Sequence, residues 1–116
     1  MAISYEDLNA ELRRIVLSGR LDFQGVEEIA EQFGSLLSSA GERRVIVDLT
    51  SAVLICSMGI RTLILNAKAV QAQGGSMALV TGDSDSLVSK TLQSVGIDTL
   101  LPVFTSFSDA EKALLN

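Results

Sequence analysis

The residues of this chain with the best prospect of doing chemistry lie together near its middle, at Cys56-Ser57-Met58-Gly59. Before them, Arg44-Val45-Ile46-Val47-Asp48-Leu49 reads as a buried strand, followed by a short link from Thr50 to Ile55. After them, apolar residues recur at helical spacing: Ile60, Leu63, Ile64, Ala67 and Val70. Ser57 therefore falls at or next to the N-cap of a helix. The first turn of a helix carries unpaired N–H groups and the positive end of the helix dipole. A phosphate attached to Ser57 would find donors waiting. The plainer reading of Ser57 is a capping residue, and the two roles are compatible. Cys56 also has two readings, a reactive thiol at a helix start or a small, half-buried space-filler. The filler is the expected one, because no base stands ready to activate a nucleophile.

The absences are as informative. The chain has no histidine, which removes His-based zinc sites, Ser-His-Asp triads and His general bases. One cysteine cannot form an intramolecular disulfide or a multi-cysteine metal cluster. Gly74-Gly75 reads as a helix stop and strand entry, with no Walker pattern around it. These features predict a protein that is not an enzyme and carries no cofactor or metal of its own.

The length of 116 residues suits one domain, residues 1–116, and 47% hydrophobic residues suffice for a sizeable core. With 9 basic and 14 acidic residues the net charge is −5. That argues against general nucleic-acid binding, since phosphate backbones would repel it, and suits a protein partner. The acidic start, Met1 to Asp7, lacks the long apolar run of a signal peptide. No stretch approaches the roughly 18 to 20 apolar residues of a membrane helix. A reducing, cytoplasmic home with no membrane insertion is expected.

The elements that must position Ser57 alternate along the chain. Ile3–Leu8 and Leu12–Ser18 read as strands joined in a hairpin across Asn9-Ala10-Glu11, the second stopped by Gly19. Val26–Ser39 reads as an amphipathic helix ended by Gly41. The helix through Ser57 is expected from about Met58 to Gln73, followed by a strand from Ser76 to Val80. Leu87, Val88, Thr91, Leu92 and Val95 are expected on the buried side of the next helix, which stops at Gly96. Leu101–Phe104 reads as a last strand, and Ser108 with Glu111 as the capping box of a final helix. The pattern predicts an α/β domain with a mixed, mostly parallel sheet of four to five strands and about four helices.

In such folds, partners engage the loops at the carboxyl ends of the strands. Three are expected to cluster: Gly19-Arg20-Leu21-Asp22-Phe23, Ile55 to Gly59, and Thr81 to Ser84, which contains Asp83. Asp22 reads either as the cap of the first helix, or beside Ser57 as a partner contact or a ligand for the metal in a kinase's active site. Asp48 reads as structural, bonded to nearby backbone. Arg61 and Lys68 share a helix face with Leu65, so Met58 and Leu65 can be exposed apolar residues that a partner covers, or a solvated face with an incidental leucine. The candidate partner-binding set is Arg20, Asp22, Phe23, Cys56, Ser57, Met58, Gly59, Arg61, Leu65 and Asp83.

Several words of the sequence, in order, resemble STAS domains, most closely the free-standing anti-sigma-factor antagonists. They are Leu17-Ser18-Gly19-Arg20-Leu21-Asp22, Val45-Ile46-Val47-Asp48-Leu49, Ser57 and Gly59 at the helix start, Gln73-Gly74-Gly75, and Leu92-Gln93-Ser94-Val95-Gly96-Ile97. The resemblance implies that Ser57 is the phosphoacceptor and Gly59 the motif glycine. It implies a serine kinase that doubles as an anti-sigma factor and binds the unphosphorylated form, with ATP held by that kinase. It also implies a serine phosphatase that restores the binding form. The chain departs from the family pattern at Cys56, where an Asp is usual, and at Met58, where a second hydroxyl residue is usual. Two further readings stand beside this one: a STAS interaction subunit of a scaffold or transport complex that is not phosphorylated, and a small-molecule sensor.

Overall fold

Residues 2–115 are described by a computed structural model; Met1 and Asn116 lie outside them. The hairpin at the start is β1 (Ala2–Asn9) against β2 (Leu12–Leu21), antiparallel, with Tyr5 opposite Ile15. Asn9 closes its turn by accepting from the Glu11 N–H at 2.7 Å. Gly19 does not stop β2, as the sequence suggested. It takes φ 93°, a conformation glycine tolerates, and the strand continues past it with a shift of register.

That continuation needs a partner, and the link after β3 (Arg44–Asp48) supplies it. Ala52–Ile55 is a strand, β4, where the sequence suggested a connection. The first half of β2 pairs in parallel with β3, from Leu12 opposite Arg44 to Val16 opposite Asp48. Its last residues pair in parallel with β4, placing Leu21 opposite Ile55. β3 pairs on its other side with β5 (Ser76–Val80), and β5 with β6 (Val103–Phe104). The sheet order is β1-β2-β3-β5-β6, with β4 attached to β2. Among the described residues only β1 runs antiparallel to its neighbour, and the six strands form one mixed sheet.

Four α-helices cover this sheet: α1 (Phe23–Ala40), α2 (Ser57–Ala72), α3 (Leu87–Ser94) and α4 (Phe107–Leu115). Alternation along the strands sends side chains to both faces. On one face Ile15, Leu17, Val45, Val47, Met77 and Leu79 meet Ile29, Phe33 and Leu37 of α1 and Leu63, Ala67 and Val70 of α2. On the other, Leu12, Ile46 and Val80 meet Ala110 of α4, flanked by Phe104, Phe107 and Leu114. A strand covered on both faces explains the unbroken apolar run of β3.

Three helix details correct the sequence reading. α1 begins at Phe23 because Asp22 caps it. Leu87 and Val95 are exposed, leaving Val88 and Leu92 as the buried edge of α3. The cap of α4 is Ser106, whose Oγ accepts from the Asp109 N–H at 3.1 Å, so Ser108 lies inside the helix.

At the amino ends of the parallel strands, side chains tie the last turns of two helices together. Gln73 Nε2 donates to the carbonyls of Leu37 and Gly41, both at 2.8 Å. Arg13 Nη1 donates to the Leu36 carbonyl at 2.8 Å, and Arg13 Nε donates to Asp7 Oδ1 at 2.7 Å. The Gln73 bonds satisfy carbonyls that a helix end leaves without partners.

Asp48, at the carboxyl end of β3, accepts from the Thr50 N–H at 2.9 Å and the Thr50 hydroxyl at 2.7 Å. Its other oxygen accepts from Arg14 Nε at 3.1 Å, and the Arg14 guanidinium stacks 4.5 Å from the Phe107 ring centroid. Burial pushes the Asp48 carboxyl up, but the Thr50 donors and Arg14 outweigh it and hold it below its ordinary value. A group depressed in the folded state stabilises fully above its unfolded value, and that contribution is lost as pH falls through the folded one. Asp48→Asn is therefore expected to cost about 2 kcal/mol at neutral pH, discounted for the partial exposure of Arg14. The gap between variant and wild type should narrow steadily below about pH 4. Urea melts of both proteins across that range would check it, and a gap independent of pH would refute it.

No described helix is long and apolar enough to cross a membrane.

Candidate functional site

Ser57 is the first residue of α2, one place inside the helix, and Cys56 is the N-cap with φ −92° and ψ 173°. The Cys56 side chain makes no capping bond. The first bond of the helix runs from the Ile60 N–H to the Cys56 carbonyl at 3.0 Å. The amides of Ser57, Met58 and Gly59 therefore find no acceptor among the described residues. Ser57 is exposed, and its hydroxyl makes no hydrogen bond among the described residues. The capping role that its type suggested is thus not the one it plays. By contrast α1, α3 and α4 each have a side-chain cap, from Asp22, Ser86 and Ser106.

The placement of α2 comes from main chain. The Cys56 N–H donates to the Leu21 carbonyl at 2.9 Å, which continues the β2–β4 pairing by one residue. Gly59 is buried where the first turn presses on the strand ends. A Cβ there would stand 2.8 Å from Ile55 Cγ1 and 3.5 Å from the Leu21 carbonyl oxygen. A glycine at position 59 is thus required by close approach.

The same carbonyl end of β2 carries Arg20, Asp22 and Phe23. Asp22 Oδ1 accepts from the Gly25 N–H at 2.8 Å and so caps α1, which was the plainer of its two readings. Its Oδ2 lies 3.5 Å from Arg20 Nε in an exposed pair. The Gly25 N–H, chiefly, and Arg20 hold the Asp22 carboxyl below its ordinary value, against a smaller opposing effect of desolvation. Gly25 itself escaped the sequence reading. Its absent Cβ leaves room for the Arg20 carbonyl, which would stand 2.0 Å away. The signal was a glycine three residues after a capping Asp.

The elements that meet near Ser57 carry exposed apolar and basic side chains. Phe23 is 57% exposed, Met58 40% and Leu65 52%, with Arg61 and Lys68 exposed on α2. Val53 of β4, which was not singled out in the sequence, adds another exposed apolar side chain. Cys56 is half-buried and packs against the main core.

The loops of Asp22 and Ser57 are directly joined through Leu21. The third loop packs on the turn that leads into β4. Gly82, at φ 74°, packs on Thr50, with Thr50 Cγ2 3.2 Å from its missing Cβ, and Asp83 Oδ1 accepts from the Asp85 N–H at 2.9 Å. No described hydrogen bond or ion pair joins Asp83 to the Ser57 loop. Among the described residues, no group of three or more Cys, Asp or Glu could hold a metal ion.

The geometry can be set beside known proteins. The model of the STAS domain matches residues 9–110. No curated protein matches the sequence. Among solved structures, an anti-sigma factor antagonist from Mycobacterium paratuberculosis superposes with a TM-score of 0.84 at 17% identity, covering 99% of this chain and 94% of its own. Unphosphorylated SpoIIAA, described as an anti-sigma factor antagonist, gives 0.74 at 20% identity over 97% and 96% of the two chains. The phosphorylated form of SpoIIAA, a cell fate determinant of Bacillus, gives 0.67 at 19% identity over 97% and 99%. These likenesses are in the fold. Together with the match of the family model over most of the sequence, they settle the assignment: the chain belongs to the STAS-domain family.

Proposed function

We propose that this protein is an anti-sigma-factor antagonist, a non-enzymatic switch whose unphosphorylated form docks on a serine-kinase anti-sigma factor through the surface around Ser57. The observation that carries this reading is an exposed serine on a first turn whose amides have no acceptor among the described residues. Phosphorylation of Ser57 would add roughly −1.5 to −2 charges. The free amides and the helix dipole stabilise such a group in place, so the fold need not change. A partner packed over Phe23, Met58 and Leu65 would then meet new bulk and charge at the centre of its contact. Arg20, Asp22, Cys56, Gly59 and Arg61 complete this surface, and a serine phosphatase would reset it. Asp83, next to Gly82 on the Thr50 turn, is assigned to its edge.

The resemblance of the fold to SpoIIAA, solved with and without phosphate, supports the cycle for this chain. The loss of Asp at position 56 leaves the acceptor hydroxyl in place. Incubation with the candidate kinase and ATP, followed by site-localised mass spectrometry, is expected to place the phosphate on Ser57, with no incorporation in Ser57→Ala. Phosphate on another residue, or none with a kinase active on a control substrate, would overturn the proposal.

A further inference from the structure

Among the described residues four polar side chains are buried, and two of them line one cavity. Arg13 is ion-paired with Asp7 and Asp48 with Arg14, whereas Thr81 and Ser89, each 4% exposed, border a space of about 200 Å³ at the carboxyl ends of β5 and β6. Neither hydroxyl is well served by the protein. Thr81 Oγ1 reaches the Phe104 carbonyl only at 3.5 Å, the outer limit of a hydrogen bond. Ser89 Oγ accepts from Gln93 Nε2 at 3.2 Å, and its own proton has no acceptor among the described residues. A buried hydroxyl without its bonds is costly, so an occupant that supplies an acceptor is favoured.

The rest of the lining says what kind of occupant fits. Leu92, Ile97, Val103 and Phe104 give the space apolar walls, and Asp98 stands at its exposed rim. The space exceeds that of a single water, whose share of liquid is about 30 Å³. Further waters would meet apolar walls with few partners, whereas a small apolar body with one oxygen satisfies both parts of the lining. We propose that this cavity is a binding site for a small, uncharged molecule that points a hydroxyl or carbonyl oxygen at Ser89 and buries an apolar body against Leu92, Ile97 and Phe104. The site shares no lining residue with the Ser57 surface and stands independently of the function proposed there.

Benzyl alcohol, and toluene as the same body without the oxygen, are the probes. Titrated into the ¹⁵N-labelled protein, benzyl alcohol is expected to give saturable amide shifts at Ser89, Gln93, Ile97 and Thr105. Its affinity should exceed that of toluene by about 5- to 10-fold, the worth of one hydrogen bond. Ser89→Ala, which keeps the apolar walls, should bring the two probes within about 2-fold of each other. Shifts that do not saturate, shifts confined to exposed Leu87, Val95 and Leu100, or an unchanged preference in Ser89→Ala would overturn the proposal. Indifference of the cavity to both probes would show that water alone fills it.

Discussion

Ser57→Asp lowers affinity for the kinase partner by about 100-fold, and Ser57→Ala leaves it within about 3-fold of wild type; these are the expected results if the Ser57 surface is the docking face. The aspartate places a negative charge inside a contact that excludes water, where it would be desolvated without a matched partner. It also projects further than a hydroxyl. Its effect on the fold should have the opposite sign. An acidic residue in the first turn interacts favourably with the helix dipole, and the free amides of α2 offer it donors. Ser57→Asp should melt at or slightly above the wild-type temperature, so lost binding would not be lost structure. Titration calorimetry against the kinase and thermal melts of the two variants make the check. Variants that both bind like wild type would remove Ser57 from the interface.

Gly25→Ala is expected to lose about 3 kcal/mol of stability. In a helix interior, alanine usually gains up to about 1 kcal/mol over glycine, so the sign itself is diagnostic. The reversal follows from the Arg20 carbonyl oxygen, which would lie 2.0 Å from the new Cβ. Main chain cannot swing aside as a flexible side chain can. Either β2 must withdraw at Arg20–Leu21, which breaks its pairing with β4 and the Cys56–Leu21 bond, or α1 must detach from its Asp22 cap. Urea denaturation would read the loss. Gly34→Ala is the control, because nothing lies within 4 Å of its Cβ position, and it should be neutral or stabilising. Equal effects at the two glycines would refute the steric argument.

The sequence carried the order of helices and of the long strands because their apolar periodicities are strong, as in Ile60, Leu63, Ala67 and Val70. It hid β4. Ala52–Ile55 is too short to show a period, and its partner is the tail of β2 beyond a glycine that looked like a terminator. Only tertiary pairing reveals that Gly19 is a bend within a strand. Leu87 and Val95 were misplaced because α3 is flanked by apolar residues on two adjacent stripes, of which the sheet accepts the one with Val88 and Leu92. At α4 the choice between Ser106 and Ser108 was decided by Phe107, which packs on Arg14 and the second core. In the candidate site, Ser57, Met58, Leu65 and Arg61 lie exposed as the helix period implied. Gly25 and the Leu21 carbonyl were not legible, because the constraint on each comes from backbone brought close only by folding.

The start of α2 is fastened by peptide groups and by the smallness of Gly59, while Gln73 knots its far end to α1. Neither fastening consults the side chains at 56 and 58. Met58, which is exposed, can therefore change without disturbing the helix start, whereas Cys56 still packs on the main core. On the proposed function, a new side chain at position 58 would alter what the docking face recognises while main chain keeps the helix start in place.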